Sequence, residues 1–335
     1  MEKGPYDQAI TCEEKPMNIL IFGGGAVGLG LASCLCESGL KPDILARKKT
    51  VQALKDQGLF RTGIIGDGHY TDLRAFSDLS DIPGQTLYDL VMVCTKSNDT
   101  DDAARILSRY PDLVGASTQL VLCQNGWGNR EIFLNYFPSS QVYNARVITG
   151  FHRHAPNRVD ITVHVQPVTL GSLDHSPCPE LLSLRNAIQK GGLSCEITDT
   201  IEKDLWAKML FNCSLNPLGA IFDVPYGELK KSPQTRAIIR DIVHEIFLVL
   251  GAAAYTTYWE SPDEYYAFLL DTLIPGTARH ESSTLQDIRI KKKTEIDALT
   301  GALVRLADKN GILVPVNRML YNMIRFMEGR YLGYD

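Results

Sequence analysis

Asn18-Ile19-Leu20-Ile21-Phe22-Gly23-Gly24-Gly25-Ala26-Val27-Gly28 is the run that sets the frame for the whole chain. Five residues of strand character lead straight into G-x-G-x-x-G, and Val27–Glu37 behind it reads as a helix that Gly39 stops. Strand, glycine loop and helix in that order form a dinucleotide-binding turn. Gly23 permits the tight turn, Gly25 lets the backbone approach a pyrophosphate, and Gly28 lets the helix pack close to the sheet. Gly24, Ala26 and Val27 complete the loop, and the helix N-terminus offers unbonded N–H groups to the anion. The competing reading is a purely structural glycine turn.

Working outward, Pro42–Ala46, Leu90–Cys94 and Gln119–Cys123 read as further strands. Apolar side chains at successive positions mark strands buried on both faces, as in a parallel sheet covered by helices. The β-rich stretches Val159–Val165 and Val168–Leu170 follow, and the pattern is a doubly wound α/β, Rossmann-type domain. From about Ile201 helical spacing takes over in Glu202–Leu215, Thr235–Ala254, Leu285–Asn310 and Val316–Gly329, punctuated by Pro217, Pro225, Pro262, Pro275 and Pro315. Pro217 predicts a bend or an end to the first of these helices. The expected organisation is a disordered tail over 1–16, a dinucleotide-binding domain over 17–200 and an all-helical substrate and catalytic domain over 201–335. A ligand belongs in the cleft between the two.

A chain of 335 residues with 44% hydrophobic and 22% charged residues excludes disordered, collagen-like and coiled-coil classes. Its formal charge of −5 gives no electrostatic reason to bind nucleic acid or an anionic membrane. The longest apolar run, Ile246–Tyr255, is too short to cross a bilayer, and Met1–Pro16 is too charged for a secretory signal, so a cytoplasmic protein is expected. The eight cysteines form no C-x-x-C, which fits buried thiols in a reducing compartment. His152, His154 and His164 lack metal-ligand spacing, so no metal is expected.

An NAD enzyme places an acid at the end of its second strand. Here Asp43 starts that strand and would point away from the ribose, whereas Arg47-Lys48-Lys49 follows its end. Three cations there favour the 2′-phosphate of NADP over a merely solvated basic turn. Lys96, after the strand Leu90–Cys94, and Asn125, in Gln124-Asn125-Gly126, occupy the same sheet edge and face the cofactor cleft, unless each is an ordinary turn residue. Lys208, Asn212 and Asn216 recur every fourth residue, so they stack on one face of an otherwise apolar helix. A ligand carboxylate would satisfy all three; a polar stripe facing water is the alternative. Ser283 with Gln286 makes an S-x-x-Q capping box at a helix start, and Glu295 falls mid-helix in a mixed charge run.

Taken together, these motifs resemble the ketopantoate reductase (2-dehydropantoate 2-reductase) family from about Met17 to the C-terminus. The resemblance is carried by Gly23–Gly28, Lys96, Gln124-Asn125-Gly126, Lys208-x3-Asn212-x3-Asn216-Pro217-Leu218, Ser283-x-Leu285-Gln286-Asp287, and Thr294-Glu295-Ile296-Asp297 leading to Gly301. It implies a Rossmann domain followed by a helical domain like the C-terminal domain of 6-phosphogluconate dehydrogenase. It implies NADPH-dependent reduction of a 2-oxo acid to a 2-hydroxy acid, ketopantoate to D-pantoate first among them, in pantothenate and coenzyme A biosynthesis. By the resemblance Arg47 holds the 2′-phosphate, Lys96 and Asn125 line the nicotinamide side, and Lys208 is the general acid. Asn212, Asn216 and Ser283 then bind substrate, and Glu295 lies beside the lysine and the cofactor. The sequence departs from the family where substrate-side Asn residues are replaced by His280 and Tyr226, and the aromatic stretch Tyr255–Phe268 is long. Other branched or aromatic 2-oxo acids, a non-catalytic NADPH sensor and an NAD-linked dehydrogenase are the alternatives. A homodimer is compatible with such a helical domain.

Overall fold

The computed structural model describes residues 17–84 and 86–334; the tail expected over 1–16 lies outside them. In chain order the first strands are β1 (Ile19–Phe22), β2 (Asp43–Leu45), β3 (Leu59–Gly63), β4 (Gly68–Tyr70), β5 (Arg74–Phe76) and β6 (Leu90–Val93). β7 (Gln119–Leu122), β8 (Val142–Arg146), β9 (Gly150–Ala155), β10 (Arg158–Val163), β11 (Val168–Gly171) and β12 (Cys195–Ile197) follow. Eight of them form one sheet in the order β12-β11-β8-β7-β6-β1-β2-β5. All pairs are parallel from β8 across to β5, and β11 runs antiparallel to β8. Every residue of β1, β6 and β11 is buried, which is why β1 and β6 read as unbroken apolar runs. The chain leaves β1 toward β2, then returns to the other side of β1 at β6. That reversal opens a crevice beyond the carboxyl ends of β1, β6 and β7, where α/β sheets bind ligands.

The stretch Val159–Val165 does not extend the main sheet. β9 and β10 join β3 and β4 in a separate four-stranded sheet ordered β4-β3-β10-β9. This sheet packs on α1 (Ala26–Glu37) so closely that a Cβ at Gly30 would sit 2.2 Å from the Phe151 ring. β10 alternates buried Val159 and Ile161 with more exposed neighbours, the mark of a sheet covered on one face only.

Helices account for most of the chain from Ile201 on, with two corrections to the expected boundaries. The first helix runs unbroken from Ile201 to Phe222 through Pro217. Proline costs one hydrogen bond there, but residues 213–220 are all buried, and packing on them keeps the helix continuous through the defect. It ends instead at Asp223, in left-handed backbone at φ 56°, just before Pro225. The predicted helix Leu285–Asn310 is two, Ser283–Arg289 and Thr300–Lys309. Lys291 is left-handed (φ 54°), and the buried Glu328 carboxylate accepts the Thr294 N–H at 2.6 Å, so residues 290–299 form a fixed turn. Glu295 therefore sits on this turn, not mid-helix. Part of the aromatic stretch packs inward: Tyr255 lies on Trp127 (4.9 Å between ring centroids) and Trp206 (5.6 Å), and Trp259 on Tyr265 (4.6 Å), while Tyr258 and Phe268 are exposed. The cysteines of the described residues are free, and all but Cys36 are buried.

Candidate active site

The glycine loop closes β1 onto α1 with almost no spare room. Gly23 has φ +123° and passes the Cys94 carbonyl carbon so closely that a Cβ would lie 2.8 Å from it. A Cβ at Gly28 would meet the Gly23 carbonyl oxygen at 1.9 Å. Gly25 differs: its nearest neighbour would be the Cys94 oxygen at 3.9 Å, so its backbone is open on the crevice side. It is also the N-cap of α1 and offers no side chain, leaving the first-turn N–H groups, those of Ala26 and Val27 among them, for a ligand. An open glycine at a helix start flanked by two tightly packed ones fits a pyrophosphate. α2 (Lys48–Gln57) begins after β2, with exposed Arg47 as its N-cap. Asp43 is buried and spent on other partners, accepting from Arg74 (2.6 and 2.8 Å) and from the Tyr88 hydroxyl (2.6 Å).

Across the crevice, the Ile201–Phe222 helix brings Lys208 against the ends of the sheet. Its ammonium donates to Asn125 Oδ1 at 2.5 Å and to the Val147 carbonyl at 2.6 Å. Asn125 in turn donates through Nδ2 to Glu295 Oε2 at 3.1 Å. The other Glu295 oxygen accepts from the Ser97 N–H (3.0 Å) and hydroxyl (3.1 Å). Lys208 and Glu295 are thus joined through the Asn125 amide. Burial pushes the Lys208 ammonium down to about 8; Glu295 opposes the shift and Arg146 adds to it. Lys96 spans the crevice to Asp287 at 2.6 Å and the Lys293 carbonyl at 3.3 Å. Burial holds the Asp287 carboxyl above its ordinary range, with Lys96 opposing.

Asn212 stands one turn beyond Lys208 and lines the same cleft, together with Gln124, Arg146 and Met209. Asn216, a further turn on, is buried, and its Oδ1 accepts the Tyr226 hydroxyl at 2.7 Å, so a protein partner meets part of its demand. The His280 ring lies 5.3 Å from that of Tyr226, and burial lowers its pKa, with Glu281 opposing. The expected capping box does not form: Ser282, not Ser283, caps the helix, accepting the Leu285 N–H at 3.0 Å, and the N3 residue is Leu285 rather than Gln286. Ser282 can do so because it is buried against the Asn216 carbonyl (3.3 Å), while Ser283 is left exposed. No hydrogen bond among the described residues links His280 or Ser283 to Lys208.

Sequence reasoning missed Arg146. It ends β8, is 7% exposed, and donates to Gln166 (2.8 Å) while lying 3.4 Å from Asp204. An arginine closing the strand-like stretch Val142–Ala145 was the available signal. Asp287 and Ser97 were also missed as partners of Lys96 and Glu295; nothing local marks them. Among the described residues no group of three or more His, Cys, Asp or Glu could hold a metal ion, and no helix is long and apolar enough to cross a membrane.

The depressed ammonium has a kinetic consequence if it delivers a proton. Above its pKa in the free protein the donor is lost, so kcat/KM should stay level below about pH 8 and fall about tenfold per unit above it. A pH–rate profile checks this; a profile flat to pH 10 contradicts it.

The family model described as ketopantoate reductase PanE/ApbA matches residues 19–175, and its C-terminal counterpart matches residues 200–328. The chain is 32% identical over 313 residues to a 2-dehydropantoate 2-reductase of Aquifex aeolicus (strain VF5), covering 93% of this chain and 97% of that one. Among solved structures it is similar to a PanE/ApbA family ketopantoate reductase from Ralstonia eutropha JMP134 (TM-score 0.83, 29% identity, 94% of this chain and 99% of that one). The fold is shared as well with a D-mandelate dehydrogenase solved with NADH and anilino(oxo)acetate (TM-score 0.82, 24% identity, 94% and 99% covered).

Proposed function

Because this chain belongs to the ketopantoate reductase family, we propose that it reduces a 2-oxo acid to the 2-hydroxy acid with NADPH, ketopantoate being the first candidate. It is an oxidoreductase that uses a pyridine nucleotide and acts on a small oxo acid. One observation carries the mechanism. Lys208 has three ammonium protons, and two are fixed on Asn125 and the Val147 carbonyl. The third is left for a substrate carbonyl oxygen.

A nicotinamide dinucleotide, when bound, supplies the hydride. The loop Gly23–Gly28 holds its pyrophosphate, and Arg47, with Lys48 and Lys49 beside it, favours the 2′-phosphate. As hydride reaches the ketone carbon, negative charge grows on the oxygen. Lys208 stabilises that charge and gives up its proton. A pKa near 8 keeps the lysine charged at neutral pH yet able to part with the proton. Glu295, through Asn125, aims the ammonium and favours its charged state. Asn212 lies one turn away to hold the substrate carboxylate, and Asn216, Ser283 and His280 shape the far end of the site. Lys96 borders the nicotinamide side, held there by Asp287.

A larger branched or aromatic 2-oxo acid is the second reading, favoured by the aromatic cluster beside Asn216, where Phe211 meets Tyr226 edge-on at 5.4 Å. NADPH oxidation followed by absorbance over a panel of 2-oxo acids tests both. A kcat/KM for ketopantoate at least tenfold above the others supports the first. Preference for an aromatic acid moves the substrate and keeps the chemistry. Tight NADPH binding with no turnover of any acid defeats the enzyme reading in favour of a sensor.

A further inference from the structure

The smaller sheet carries a cation to the cofactor side of the main one. Arg153, on β9, donates through Nη1 to the Gly24 carbonyl of the glycine loop at 2.9 Å and through Nη2 to Thr50 Oγ1 in the first turn of α2 at 2.8 Å. Its Nε donates to the Ala155 carbonyl at 3.1 Å. The guanidinium therefore bridges the pyrophosphate loop and the helix start that Arg47 caps. That is where the adenosine ribose of a dinucleotide lies in a Rossmann domain.

All three acceptors are neutral oxygens. Among the described residues no carboxylate pairs with Arg153 or with Arg47. A guanidinium has five N–H groups, and three here are occupied, so one on each terminal nitrogen remains. Burial lowers the Arg153 pKa, and the nearby charge of Arg47 lowers it further. Two like charges at the start of one helix repel without an anion, and a phosphate dianion bound there removes the repulsion while accepting charge-assisted bonds. The position is also rigid. Phe151, two residues earlier on β9, presses on Gly30 of α1, and Asn157 at the hairpin turn ties the sheet to the end of α2, donating to the Gly58 carbonyl at 2.8 Å.

We propose that Arg153 and Arg47 together form a two-guanidinium site that grips the phosphate monoester on the adenosine ribose, so that the second sheet contributes directly to choosing the phosphorylated dinucleotide. This rests on the reading that the cofactor is NADPH. The rival account is that Arg153 only braces the glycine loop, in which case it serves both dinucleotides equally.

Titrating wild-type protein, Arg153→Gln, Arg153→Lys and Arg47→Gln with NADPH and with NADH separates the accounts. Thermal melting of each variant shows whether the fold is kept. The expected result is a wild-type preference for NADPH, a rise of about tenfold or more in the NADPH Kd of Arg153→Gln, and an NADH Kd within about threefold of wild type. Arg153→Lys should fall between, because it keeps the charge and loses the fork. Equal weakening of both dinucleotides, in whichever Arg153 variant melts like wild type, overturns the proposal in favour of the brace. So does unchanged NADPH affinity. A wild-type protein without NADPH preference refutes the cofactor reading itself, whatever Arg153 does.

Discussion

Lys208→Ala should lower kcat by about 10²–10⁴-fold, the usual contribution of a positioned proton donor, while the NADPH Kd stays within about twofold of wild type. The separation follows from geometry. Lys208 reaches the site from the Ile201–Phe222 helix, whereas the glycine loop and Arg47 belong to the sheet domain. Its two fixed acceptors, Asn125 Oδ1 and the Val147 carbonyl, lie at the sheet's edge and can be met by water once the side chain is gone. Steady-state kinetics with an NADPH titration checks both halves. Near-normal turnover in the variant removes Lys208 from the chemistry. Loss of NADPH binding instead shows that the lysine acts on the cofactor.

The second large effect divides two glycines of one loop. Gly25→Ala places its Cβ where the nearest protein atom is 3.9 Å away, at an extended backbone (φ −82°) that alanine tolerates. The fold should melt within about 2 °C of wild type. The methyl group nevertheless occupies the crevice side that a pyrophosphate needs, so affinity for NADPH and NADH should both fall by at least about tenfold. Gly28→Ala places its Cβ 1.9 Å from the Gly23 oxygen, and α1 must move off β1 to make room. Overpacking of that kind costs about 1–3 kcal/mol, so this variant should melt several degrees lower as well as bind poorly. Thermal melts alongside nucleotide titrations distinguish them. Equal melting temperatures for the two variants contradict the packing account, and normal affinity in Gly25→Ala contradicts the cradle.

What the sequence made legible was local. The strand, glycine loop and helix over 18–37 are contiguous, and the steric demands on Gly23 and Gly28 are met within that segment and the adjoining strand ends. The Lys208, Asn212, Asn216 spacing was equally readable, because helical period alone fixes a shared face. What escaped depends on partners far along the chain. β10 pairs with β3, roughly a hundred residues earlier, so the stretch Val159–Val165 could not be told from a strand of the main sheet. The charged neighbours of Glu295 are good helix formers and locally predict a helix; the buried carboxylate of Glu328, 34 positions on from Thr294, holds that segment in a turn. Ser283 passed for the helix cap because Ser282 fits a cap equally well one residue earlier, and only burial against Asn216 decides between them. Of the bend or end that Pro217 predicts, surrounding burial overrides the end.

Isotope transfer tests the central claim most directly. The protein is incubated with ketopantoate and NADPH carrying deuterium in both positions at nicotinamide C4, and the acid is recovered for mass spectrometry. Direct hydride delivery under Lys208 predicts pantoate one mass unit heavier, with the deuterium at C2. Recovery of pantoate without deuterium at C2 would contradict it.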